Sequence, residues 1–181
     1  MAAASIPVPM TEHQEQLSRL FVAHHRRVLS AAYRITGSVA DAEDVAQSVF
    51  LRLSTTPERL AANESSYLYR AAINGALDLL RRRKAAPTGP LDDAMGLASS
   101  SRGSSPDADV SRHELGEWLR VAIAELSPRA GEMFTLRYLE ELGNREIARL
   151  MGTSQAVVAV TLHTARTKLK KRLLALQGER R

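Results

Sequence analysis

Residues 86–112, APTGPLDDAMGLASSSRGSSPDADVSR, constrain the fold more than any other stretch of this 181-residue chain. Pro, Gly, Ser, Ala and Asp dominate them, no periodicity is sustained, and too little apolar surface is present to fold alone. They predict a linker. Charge changes along the chain in step with it: residues 1–86 sum to +3, residues 87–112 to −2 and residues 113–181 to +4. A length that fits one large or two small domains is therefore divided into two. The boundaries expected are a disordered tail at 1–12, a first domain at 13–86, a linker at 87–112 and a second domain at 113–181.

Both flanking pieces carry helical periodicity. From Glu12 to Thr36, Leu17, Leu20, Phe21, Val28, Leu29, Ala32 and Tyr33 recur at three- and four-residue steps, and Gly37 supplies the stop. Ser38 caps a second helix whose inner face is Ala42, Val45, Ala46, Val49, Phe50 and Leu53, with Asp41, Glu43, Asp44 and Gln47 at its start. Ser54 to Asn63, broken by Pro57, reads as a loop or a short helical turn. A third helix spans about Ser65 to Lys84, with Leu68, Ala72, Ile73, Ala76, Leu77 and Leu80 as its stripe and four cations, Arg81 to Lys84, at its end. After the linker, Leu115, Trp118, Leu119 and Ala122 to Leu126 form another amphipathic helix, and Ser127-Pro128 opens the next. No strand is expected.

The strongest local motif lies between Asn144 and Lys170. Ile147, Ala148 and Met151 are the inner face of a short helix, Gly152 sits at a sharp turn, Thr153 or Ser154 caps a second helix, and Val158, Leu162, Ala165, Leu169 and Leu173 continue the buried stripe. The spacing Ala148-x3-Gly152-x5-Val158 suits a helix-turn-helix: a small residue permits close crossing, glycine accepts the turn, and a branched side chain locks the second helix. An ordinary αα-hairpin has the same pattern; the basic residues downstream and the place after a linker favour DNA. The second helix then presents Gln155, Ala156, Ala159, Val160 and His163 to base edges, while Arg166, Lys168, Lys170, Lys171 and Arg172 reach phosphates.

Composition narrows the chemistry. A pI near 10.0 suits a polyanionic partner. The absence of cysteine removes disulfides, thiolate nucleophiles and thiolate metal sites, and suits a reducing cytoplasm. No apolar run approaches the ~20 residues that span a bilayer, and Met1 to Met10 lacks the basic start of a signal peptide. The five histidines show no metal-ligand spacing, and no glycine-rich phosphate loop follows a strand. His24 and His25 are expected one on each side of a helix, in solvent. Neither a catalytic site nor a cofactor or metal is expected.

Two segments, Leu20 to Leu53 continued by Tyr67 to Lys84, and Leu126 to Leu173, together resemble the extracytoplasmic-function group of bacterial RNA polymerase sigma factors. The resemblance implies an all-α chain of two small helical domains on a flexible linker, the second a helix-turn-helix, acting in the cytoplasm to start transcription. It implies core RNA polymerase as partner, through the clamp helices of the β′ subunit and through the β subunit, together with promoter DNA and an anti-sigma protein. Docking falls to Asp41, Glu43, Asp44 and Gln47, supported by Val45, Val49 and Phe50. An exposed acidic and amide face is what a basic partner helix would recognise. Ser48 stands where that helix commonly carries an acidic residue. Minus-ten recognition falls to Asn74 and the loop Ser54 to Ser66, with Tyr67 or Tyr69 as a stacking face, Asp78 within the pattern, and Arg81, Arg82, Arg83 and Lys84 on the backbone. Minus-thirty-five recognition falls to Arg145, Thr153, Ser154, Gln155, Ala159, His163, Arg166 and Lys168. Here the chain departs from the family, since Ala159, Val160, Thr161 and Thr164 replace the usual basic or hydroxyl positions with few base-bonding groups. Two other readings fit the same residues: a stand-alone helix-turn-helix regulator, and a sigma-like decoy that binds an anti-sigma protein.

Overall fold

A computed structural model describes residues 11–55, 64–85 and 106–179, with side chains described in 11–55, 64–85 and 114–175. The described residues are helical throughout, in seven helices: α1 (Glu12–Thr36), α2 (Val39–Thr55), α3 (Glu64–Ala85), α4 (Pro106–Ala124), α5 (Pro128–Tyr138), α6 (Asn144–Leu150) and α7 (Gln155–Glu179). The expected tail up to residue 10, the loop between residues 56 and 63 and the linker between residues 86 and 105 lie outside the described residues.

Local chemistry sets the ends. Thr11 begins α1 with a capping box: its hydroxyl accepts from the Gln14 amide at 3.3 Å and the Gln14 side chain accepts from the Thr11 amide at 2.8 Å. Thr11 and Glu12 thus belong to the first helix and not to a tail. Gly37, at φ 70°, ends α1 with its N–H donating to Tyr33 O. Ser38 Oγ then accepts from the Asp41 amide at 3.3 Å. The start of α4 corrects the linker boundary, because helix begins at Pro106 and takes in residues 106–112. Proline at the first helical position followed by Asp107 and Asp109 is the same start signal that Ser127-Pro128 carries, and it outweighs the surrounding composition.

Helices α1, α2 and α3 form a three-helix bundle around Val28, Ala32, Ile35, Val45, Leu53, Leu68, Ile73 and Leu77, all buried. The second bundle is centred on α5, in which every residue from Gly131 to Leu136 is buried. A helix whose central six residues are buried on all sides cannot sit at the edge of one small bundle. It lies between α3 and the pair α6 and α7, so the two bundles share one continuous apolar core. Gly131 allows this approach: a Cβ there would lie 3.5 Å from Leu77 Cδ1 of α3 and 3.2 Å from an Arg81 nitrogen. His25 also departs from expectation, being half-buried with its ring 4.5 Å from Phe21 and 6.2 Å from Phe50. An imidazole next to apolar rings at helical spacing joins them sooner than it faces water.

Candidate nucleic-acid and partner interfaces

Helix α2 divides its polar start between two environments. Glu43, Asp44, Gln47 and Ser48 are exposed and share one face, which Leu51 extends with 68% of its surface open. Asp41 points the other way. It is 5% exposed, and both carboxylate oxygens accept from the Arg83 guanidinium at the end of α3. This corrects the expected docking face, which loses Asp41, and the expected backbone contacts, which lose Arg83 to an ion pair holding α2 against α3. Phe50 is buried too, as a support for the face.

On α3, Tyr69 is buried with Arg27 stacked 4.6 Å from its ring centre, and Tyr67 is half-buried. Of the two candidate stacking rings Tyr69 is therefore core. Burial raises its phenol pKa well above the ordinary value, and the Glu140 carboxylate beside it adds to the rise. Asn74 and Asp78 line a cleft of about 330 Å³ with Arg70, Pro128, Arg129, Glu132 and Met151. Arg70 crosses this cleft: Nε donates to Glu132 Oε1 at 2.6 Å, Nη2 to Oε2 at 3.4 Å and Nη1 to Leu150 O at 3.0 Å. Arg81 bonds Asp78 at 2.7 Å and Ala124 O at 3.3 Å, whereas Arg82 is exposed and, among the described residues, donates to Asp78 O at 3.4 Å.

The turn between α4 and α5 collects cations from both bundles. Glu125 receives Lys84 of α3 and Arg172 of α7, and its carbonyl accepts from Lys168 Nζ at 2.9 Å. Lys168, expected on a phosphate, is turned to this corner. At the far end Arg34 of α1 pairs with Glu140 at 2.6 Å. Glu125, Glu132, Glu140, Arg34 and Arg70 were not among the sequence candidates. The one signal for them was Glu132 itself, a carboxylate inside the apolar run of α5, which must be paired if buried.

The helix-turn-helix forms as its spacing predicts. Ile147 and Val158 are fully buried and Ala148 nearly so, while Gly152 has φ 59° with open space where a Cβ would stand. It is backbone conformation, not room, that requires glycine here. Ser154, and not Thr153, caps α7, its Oγ accepting from the Val157 amide at 3.2 Å. Gln155, Ala156, Ala159, Val160, His163 and Arg166 are exposed along α7, and Arg145 is exposed on α6.

A capped, exposed helix on a tight turn, tied to a three-helix bundle with an acidic face, matches known proteins in both parts. The family description Sigma-70 region 2 matches residues 20–86, and Sigma-70, region 4 matches residues 116–169. The chain belongs to the extracytoplasmic-function sigma factors. It is 28% identical over 170 residues to the ECF RNA polymerase sigma factor SigW of Bacillus subtilis, covering 88% of this chain and 90% of that one. It is 33% identical over 184 residues to SigG of Mycobacterium tuberculosis, and spans 50% of that longer protein. The sigma factor RpoE of Bartonella quintana, solved with the anti-sigma factor NepR, has the same fold, with a TM-score of 0.51 at 14% identity over 88% of this chain and 97% of that one.

As a sigma factor the chain directs promoter-specific initiation of transcription by RNA polymerase, in a family of non-catalytic initiation factors. Region 2 thus contains the α2 face and region 4 the helix-turn-helix, and the cleft lies between them, lined by Arg70, Asn74 and Asp78 of region 2 and by Pro128, Arg129, Glu132 and Met151 of region 4. Among the described residues no group of three or more His, Cys, Asp or Glu is arranged to hold a metal, and no helix is long and apolar enough to cross a membrane.

Proposed function

We propose that Glu43, Asp44 and Gln47 dock this sigma factor on the clamp helices of the polymerase β′ subunit, with Leu51 as the apolar centre of the contact. The observation that carries this is their shared exposed face on a helix whose opposite side, Val45, Val49 and Phe50, is locked into the core. A rigid acidic and amide surface with an apolar centre fits a basic partner helix. Asn74 and Tyr67 receive the minus-ten strand and Arg82 steadies its backbone; α7 lies in the major groove at minus-thirty-five, with Arg145, Arg166, Lys170 and Lys171 on phosphates. The chain works in the cytoplasm, contributes no catalytic group, and leaves the chemistry to the polymerase. An anti-sigma protein restrains it, as NepR accompanies RpoE in the solved complex.

Run-off transcription with core enzyme from the source cell and a library of its promoter fragments tests the reading. Transcripts that need both core and this chain are expected, and Asp44→Lys is expected to lower them by weakening attachment to core. Tight site-specific binding to duplex DNA without polymerase, combined with no transcript, would establish a stand-alone regulator instead.

A further inference from the structure

The exposed side of α7 is nearly empty of groups that bond bases. Gln155, Ala156, Ala159, Val160 and His163 follow one another at alternating one- and three-residue steps opposite the buried Val158, Leu162, Ala165 and Leu169. They form one stripe about 12 Å long, close to the width of the major groove. Val160 leaves 67% of its surface open and Val157 beside it 44%. Three nearby hydroxyls are engaged with the helix backbone: Thr164 donates to Val160 O at 3.0 Å, Thr167 donates to His163 O at 3.0 Å, and Ser154 is held as the cap. No lysine or arginine occurs from Gln155 to Ala165. Cations flank the stripe instead, with Arg145 and Arg149 exposed on α6 and Arg166, Lys170 and Lys171 exposed further along α7.

A positive rim around a methyl-rich centre selects a polyanion with an apolar feature in its groove. In DNA that feature is the C5 methyl of thymine. The commonest guanine contact, a guanidinium or ammonium on O6 and N7, has no donor within the first two turns. The amide that is present, Gln155, matches adenine N6 and N7 in a bidentate pair.

We infer that this stripe reads its upstream promoter element by an adenine bonded to Gln155 and by thymine methyls packed on Ala156, Ala159 and Val160. Specificity at minus-thirty-five in this chain is then carried chiefly by methyl contact and a single amide. This rests on the sigma-factor assignment of the helix-turn-helix.

The test uses holoenzyme made from the full chain and core polymerase, with the upstream element randomised in a run-off template and the productive templates sequenced. Enriched elements are expected to hold an A·T step at a fixed distance from the start site. Deoxyuridine in place of thymine there, which removes only the C5 methyl, is expected to weaken promoter binding about fourfold per methyl contacted. Restoring a methyl with 5-methylcytosine in a C·G pair at that position is expected to recover part of the loss. Gln155→Ala is expected to lower adenine preference by roughly 5- to 150-fold at one position and leave the others unchanged. Because Gln155 is exposed, unaltered far-ultraviolet circular dichroism will verify that the variant folds. Transcription that persists with enrichment of guanine, or with indifference to deoxyuridine and to Gln155→Ala, overturns the inference and leaves the sigma-factor reading standing. Absence of any transcript from the unmodified library overturns both.

Discussion

Replacing Arg70 by alanine should loosen the packing of α3 against α5 more than any other single exposed-to-buried ion-pair change. Glu132 is only 5% exposed, and Arg70 gives it two hydrogen bonds while a third runs to Leu150 O. Truncation leaves a buried carboxylate without its partner, which costs about 3–5 kcal/mol when both groups are fully buried. Arg70 keeps 36% of its side chain in water, so solvent screens part of the pair and the expected loss is roughly 2–3 kcal/mol. With a urea slope near ~2 kcal/mol/M this lowers the unfolding midpoint by about 1–1.5 M. Arg70→Lys keeps the charge but not the planar fork, and should lose roughly half as much. A double-mutant cycle with Glu132→Gln should return a coupling of about 1–3 kcal/mol. Small-angle scattering adds an independent reading, since a compact chain of this length has a radius of gyration of ~16 Å and separated bundles a larger one. An Arg70→Ala protein with an unchanged midpoint, additive energies in the cycle and the same radius would refute the claim that this pair ties the bundles together.

Three other outcomes follow from the geometry. Asp44→Lys should abolish or sharply weaken core-polymerase capture without changing the melting temperature, whereas Asp41→Asn should lower stability by about 1–3 kcal/mol through its lost pairing with Arg83; a pull-down and a thermal melt on each variant separate the two. Tyr69 has its phenol pKa raised by burial and by Glu140, so the stability it contributes is complete below its ordinary value near 10 and declines as pH rises above that. Urea midpoints between pH 8 and 11 should therefore fall less steeply for Tyr69→Phe than for the parent. Gly152→Ala should cost about 1–2 kcal/mol from the left-handed backbone alone, because nothing lies within 4 Å of the added Cβ; a loss near zero in chemical denaturation would show that the turn relaxes.

Features encoded by neighbours in the chain are legible in the residues themselves. The Gly37 stop, the Ser127-Pro128 start and the Ala148-Gly152-Val158 turn depend on groups a few residues apart, and each is realised by the expected backbone. The start of α4 is equally local, in Pro106 and Asp107, but the loop-like composition of the 27 residues around it hides the signal. Asp41 illustrates what spacing does not encode. It stands two and three residues before Glu43 and Asp44 on α2, yet a guanidinium 42 positions away draws it inward while they stay in water. The same holds for Glu132 and Arg70, 62 positions apart.

These distant pairs have a common logic. Lys84 and Arg172 are cations of the two elements assigned to DNA, and here both are held by Glu125; Arg70 beside Asn74 is held by Glu132. An ammonium group cannot give its full charge to Glu125 and to a phosphate at once. A phosphate contact made through Lys84, Arg172 or Arg70 would exchange these carboxylates for phosphate, and only the difference between the two sets of contacts would be available to drive it. A single glutamate in the turn between α4 and α5 would thus set how much of the attraction of Lys84 and Arg172 for phosphate appears as binding.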